Sequence, residues 1–213
     1  MVTEVELLAA VDAAFQFSAY ASTGWPDPHP NRAPLQEEYS RLSDPGKWRI
    51  IGARADAWLV ALVDTGLATL ERDIPIRWRV PPMTAPSRTD RLVPAAAGAL
   101  PLVVARCRFG GIDDAGFTLG VGDPAVCVSR FPACGCDACN GGSQEELDRL
   151  DGLVCGVVSG AFRRLSRRDS EITVNGARGW SASGMFDHHD IQRILAHPAG
   201  WDELVGVSWL CQR

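Results

Sequence analysis

Apolar residues recur at helical spacing from the start of the chain. Leu7, Leu8, Val11, Ala14 and Phe15 share one stripe, which predicts an amphipathic helix over about residues 3–19. Thr3 followed by Glu6 fits a capping box at its start. The segment Gly24-Trp25-Pro26-Asp27-Pro28-His29-Pro30 then excludes regular structure, because each proline removes a donor and restricts its predecessor. A short helix is expected near residues 35–42. A longer one, opened by Asp44-Pro45-Gly46, is expected over about residues 47–72, with Ile51, Trp58, Leu62, Leu67 and Leu70 near one face.

The period then changes to two. Ile74, Ile76, Trp78 and Val80 alternate with Pro75, Arg77 and Arg79, the pattern of a half-buried strand. Residues 83–98, rich in Pro, Ala and Arg, read as a long loop. Three strands follow, over about residues 102–109, 117–121 and 125–130, separated by Gly110-Gly111, Asp113-Asp114 and Asp123-Pro124. They form an antiparallel meander. A helix over about residues 144–167 is expected next, with Ser143 and Glu146 as a second capping box. A hairpin around Asn175-Gly176, a short helix near residues 190–196 and a strand near residues 204–210 complete the series. The fold class is therefore α+β, with an antiparallel sheet (meander plus late hairpin and terminal strand) packed against several helices in one domain over residues 1–213.

Composition narrows the function without naming it. Hydrophobic residues make up 46% and charged residues 22%, as expected of a chain with a packed core. Lys47 is the one lysine among 21 basic residues; the excess of Arg, Ala, Gly and Val suits a GC-rich bacterial genome. The net charge is −5, so the long-range field favours neither nucleic acid nor an anionic membrane as partner. The dense basic run Arg163-Arg164-Leu165-Ser166-Arg167-Arg168 is expected at a helix C-terminus, where cations complement the macrodipole. No basic n-region precedes an apolar stretch, and residues 93–105 are too short to span a bilayer. A cytoplasmic location follows as the expectation. There the seven cysteines point to metal or redox chemistry before disulfides.

Cys134-Gly135-Cys136-Asp137-Ala138-Cys139 is the one chemically distinctive segment. It puts three soft ligands within six residues, and Zn²⁺ prefers four N or S donors in a tetrahedron. Gly135 and Asn140-Gly141-Gly142 allow the turns that convergence needs, and a helix starting near Ser143 would aim its positive end at the thiolates. A closed site needs a fourth ligand. Cys127, on the adjoining strand, is the nearest further thiol and ranks ahead of Asp137, His188 and His189; Cys155 lies roughly 18 Å down the following helix at about 1.5 Å per residue. Cys136-Asp137-Ala138-Cys139 is also a CxxC, but Asn140-Gly141-Gly142 separates it from the helix that a thioredoxin-type motif would open. Cys107, Cys155 and Cys211 sit in apolar patterns and read as core.

Other chemistry is thin. Phe186-Asp187-His188-His189-Asp190 reads as a helix start capped by Asp187 or Asp190. His189 and His197 are roughly 12 Å apart on a helix and cannot share one metal; His29 is expected exposed. There is no GxSxG, no Walker A lysine motif, no HExxH and no GxGxxG between a strand and a helix. Trp48, Trp58 and Trp78 fall on apolar faces; Trp25, Trp180, Trp201 and Trp209 are not assigned by pattern.

The segment from Phe131 to Ser143, with the acidic helix start Glu145-Glu146-Leu147 and the late Trp201 and Trp209, resembles an actinobacterial family of about this length without assigned function. The likeness extends along the whole chain, and the cysteine loop is its specific part. It implies a bacterial cytoplasmic protein and transfers no activity. Three readings stay open: a non-enzymatic domain with structural zinc at the loop, a thiol-redox or metal-dependent enzyme using the same cysteines, and a small-molecule binder with a Trp-lined pocket.

Overall fold

The structure is a computed structural model that describes residues 2–176 and 179–210. Its helices are α1 (Glu4–Gln16), α2 (Arg49–Asp64), α3 (Ser143–Val158) and α4 (His188–Ala196). Strands β1 (Ala68–Glu71), β2 (Trp78–Val80), β3 (Arg88–Pro94), β4 (Leu102–Phe109), β5 (Ile112–Val121) and β6 (Ala125–Phe131) form one sheet in the order β1-β3-β4-β5-β6-β2. All its pairings are antiparallel except β2–β6. Strands β7 (Phe162–Arg167), β8 (Ser170–Asn175), β9 (Trp180–Ser183) and β10 (Asp202–Val205) form a second, antiparallel sheet in the order β10-β7-β8-β9. The fold is α+β, and the expected meander is β4-β5-β6. The late hairpin and terminal strand do not extend the meander's sheet; they build their own.

Two expected helices were too long, for one reason. The chain leaves α2 through Thr65 into Gly66 at φ +71°, and leaves α3 through Ser159 into Gly160 at φ +78°. A left-handed glycine just past the last turn is the usual helix terminator. Both tails then turn into strands, β1 and β7. The arginine run consequently lies on a strand: Arg163 pairs with Glu203 and Arg164 with Glu171 across the second sheet. The expected loop over 83–98 contains β3, whose inward side holds Asp90 and Leu92, both essentially without exposure. A buried carboxylate in an apolar position broke the alternation that would have announced the strand. Of the strand expected from residue 74, only Trp78–Val80 forms, parallel to β6.

The main core joins α1, α2 and α3 to one face of the first sheet, through Leu7, Val11, Trp58, Leu62, Phe117, Leu119, Leu150 and Val154 among others. Trp48 and Trp209 are also buried there. A small second cluster of Leu165, Ile172, Ile191 and Ile194 packs α4 on the second sheet. Arg54 ties the three long helices together: its Nε and Nη2 donate to Asp151 at 2.9 and 2.7 Å, and Nη1 pairs with Asp12 at 2.7 Å. Trp58 Nε1 donates to the same Asp151. The capping box at Thr3 and Glu6 is present.

Candidate metal centre

The cysteine loop connects β6, ending at Phe131, to α3, starting at Ser143, as the alternation before it and the helical pattern after it require. Within it Asp137–Cys139 makes one 3₁₀ turn. The sulfurs of Cys134, Cys136 and Cys139 lie within 4.8 Å of one another. Tetrahedral zinc with bonds of about 2.3 Å would hold sulfurs about 3.8 Å apart, so closure needs a shift of at most about 1 Å. Cys136 is buried, whereas Cys134 and Cys139 are exposed. Burial alone would push the Cys136 thiol up. The N–H groups of Cys139 and Ala138 and the thiols of Cys134 and Cys139 outweigh it, so Cys136 titrates below its ordinary value. Cys139 is pushed up to about 11, chiefly by its hydrogen bond with Cys136. Backbone N–H groups aimed at the first sulfur of a CxxC turn favour a thiolate there.

The loop is held by a segment that the sequence marks only as irregular. Gly135, at φ +85°, lies so close to Phe109 that a Cβ there would sit 2.3 Å from the ring. Asp137 turns its carboxylate away from the sulfurs. Its Oδ2 accepts from Arg41 Nε at 2.6 Å and Ser43 Oγ at 2.7 Å, its Oδ1 from Ser43 N at 2.9 Å. Its own N–H donates to Arg41 O. The Arg41 guanidinium holds this carboxyl down at about 2. Behind Arg41 stands Glu38, which accepts from both Arg32 Nη groups and from Leu35 N, and meets His29 Nε2 at 3.2 Å. His29, expected exposed, has a side chain only 7% exposed because Glu38 covers it.

At the other end of the loop, Trp25 Nε1 donates to Asn140 Oδ1 at 2.6 Å, and Ser143 Oγ accepts from Trp25 N at 3.0 Å while Ser143 N donates to Trp25 O. Ser143 is therefore engaged with Trp25 and does not cap its own helix. The residue before α3 is Gly142, at φ +91° and against the backbone of Pro26 and Asp27. Glu146, the expected partner in the box, pairs with Arg149.

Of the expected ligands, the structure brings together Cys134, Cys136 and Cys139. It does not bring Cys127 into that group. Cys127 lies opposite Gly120, whereas Phe131, where the loop begins, lies opposite Phe117. The intervening four residues span roughly 13 Å at about 3.3 Å each. Burial pushes the Cys127 thiol up, and its charged neighbours include Glu171 and Arg164 of the second sheet. His188 and His189 occupy the first turn of α4, capped by Asp187, whose Oδ1 accepts from Asp190 N. Cys155 is in the fourth turn of α3. Cys211 lies outside the described residues. Arg41, Ser43 and Trp25 were not singled out from the sequence; no local pattern marks a partner about 100 residues away.

The chain belongs to a family of unknown function, DUF6226, whose model matches residues 11–207. No curated protein and no solved structure matches at a significant level. Among the described residues, no helix is long and apolar enough to cross a membrane.

Proposed function

We propose that this is a cytoplasmic, actinobacterial metal-binding protein, non-enzymatic in its role, in which Cys134, Cys136 and Cys139 hold a structural Zn²⁺. The convergence of three sulfurs within 4.8 Å carries the reading. The N–H groups directed at Cys136 support it, because they stabilise a thiolate before any ion arrives. The ion would cross-link the eleven-residue connection between β6 and α3, and the bracing by Trp25 and Arg41 is of the kind that positions metal ligands from behind. With Asp137 committed to Arg41 and Ser43, and Cys127 displaced along β6, the fourth place falls to water or to a donor from another molecule. A second reading has support in that same open place and in the exposure of Cys134 and Cys139: a thiol-redox or metal-dependent enzyme using these cysteines.

Metal analysis of the purified chain with X-ray absorption at the zinc edge separates the readings. One zinc per chain on three sulfurs, with all three thiols slow to react with Ellman's reagent, supports the structural site. One thiol that reacts rapidly with Ellman's reagent while the others stay slow supports the enzyme. Metal-free protein with three freely titrating thiols, and a melting temperature indifferent to chelator and added zinc, would sink both metal readings.

A further inference from the structure

A groove of about 570 Å³, with no cysteine in its lining, opens between the end of α1, α2 and the strands β3 to β5. Its size is that of a small-molecule site. No tryptophan lines it, so the Trp-lined pocket anticipated from composition is not this one.

Its floor is a buried guanidinium. Arg106 on β4 is 3% exposed. Its Nη2 donates to Gly52 O at 3.0 Å and pairs with Asp56. Its Nε is buried without a partner among the described residues. Arg54, two residues beyond Gly52 on the same helix, has Nε, Nη1 and Nη2 all taken by Asp151 and Asp12. A buried donor left unmade is costly, and Arg106 also loses its own hydration, which pushes it below the ordinary arginine range. The fold makes room for it at this expense. A Cβ on residue 52 would stand 2.5 Å from Arg106 Nη1, so glycine at that point of α2 is what lets the guanidinium lie against the helix.

The remaining lining sets the ligand. Arg49, Arg88 and Arg106 line it with Asp56 and Asp114, and the buried Asp90 behind Arg88 brings these charges into balance. A ligand with a single negative charge is the most this balance admits, because a dianion would be repelled by the two lining aspartates at close range. A planar carboxylate suits a guanidinium fork. Arg88 stands beside it on β3, its Nε 3.2 Å from the buried Asp90 as an ion pair without hydrogen-bond geometry. The rim is apolar: Phe17 is 93% exposed and Val60 42%. We propose that this groove binds a small monocarboxylate with an apolar or aromatic body, its carboxylate received by Arg106 and Arg88 and its body covered by Phe17 and Val60.

The test titrates the full chain with sodium benzoate and sodium hexanoate, and separately with inorganic phosphate and sodium chloride at matched ionic strength. Arginine Nε–H NMR signals and the melting temperature are followed, with Arg106 assigned from Arg106→Lys. The expected result is a saturable shift of the Arg106 signal with a carboxylate. Arg88→Gln should weaken binding about tenfold, the worth of one charge-assisted contact. Should Arg106→Lys fail to fold, Val60→Glu, a change at an exposed rim position, should still remove the response. No saturable response to either carboxylate, an equal response to phosphate or chloride, or a response untouched by both Arg88→Gln and Val60→Glu overturns the proposal.

Discussion

Trp25 and Asn140, 115 residues apart in sequence, share a hydrogen bond of 2.6 Å from the indole N–H to the amide oxygen. It fastens the proline-rich segment after α1 to the far end of the cysteine loop. Asn140 Oδ1 also accepts from Gly142 N at 3.2 Å, so this one side chain fixes both the turn and its partner. Trp25→Phe keeps the ring that packs on Trp48 and deletes only the donor. The expected loss is about 1 kcal/mol in urea unfolding. If the loop carries zinc, a chelator competition should show about tenfold weaker retention, the low end for removing a group that positions ligands. Unchanged retention with unchanged stability would show the bond to be incidental.

Gly135 tests how tightly the loop is seated. Alanine there meets both a left-handed backbone, costing about 1–2 kcal/mol, and the Phe109 ring at 2.3 Å. Gly135→Ala should lower the urea midpoint by more than the backbone term alone. Phe109→Leu in the same chain should recover part of the difference, because it removes the collision and leaves the backbone cost.

Glu38 governs the acid side of stability. Its carboxyl is held well below the usual range, first by Arg32, then by the Leu35 N–H and His29, against the opposing effect of burial. A depressed folded value means that the unfolded chain takes up protons first as pH falls. The stabilisation is complete above about pH 4.3, the ordinary glutamate value, and is lost progressively below it. Glu38→Gln should therefore be less stable than the parent at pH 7, with a shallower decline between about pH 5 and 3. Parallel stability curves for the two chains would contradict this account.

Arg54 and Asp151 form the polar centre of the helical layer. Asp151→Ala leaves a guanidinium only 6% exposed with Asp12 as its remaining partner and strands the Trp58 N–H. Breaking such a pair costs about 3–5 kcal/mol, and the retained Asp12 contact places the expected value near about 3 kcal/mol. Thermal and urea unfolding both report it. Asp151→Asn, which can still accept from one donor, should fall between the two.

Much of this architecture is written locally. The stripe Leu7, Val11, Ala14 and the Thr3–Glu6 box define α1; the apolar runs around Val104 and Leu119, bounded by Gly110-Gly111 and Asp123-Pro124, define the meander; the Cys134-x-Cys136-x-x-Cys139 spacing brings three sulfurs together because a loop of six residues leaves them little choice. Gly66 and Gly160 were also legible as helix ends, since a left-handed terminator needs only glycine. Their flanking apolar residues continue the helical period by coincidence, which is why Leu67, Leu70 and Leu165 read as helix and not as strand. The rest was decided by distance in space. Asp90 hides a strand because its buried carboxylate is met by the Asp73 N–H, 17 residues earlier. Cys127 looked like a ligand because sequence separation carries no direction, whereas the β5–β6 register sets it roughly 13 Å along the strand from where the loop begins. Trp25, Arg41 and Arg106 acquire meaning only from Asn140, Asp137 and Gly52. Hydrogen bonds and ion pairs between such remote residues follow from how the layers dock, and no local period records that.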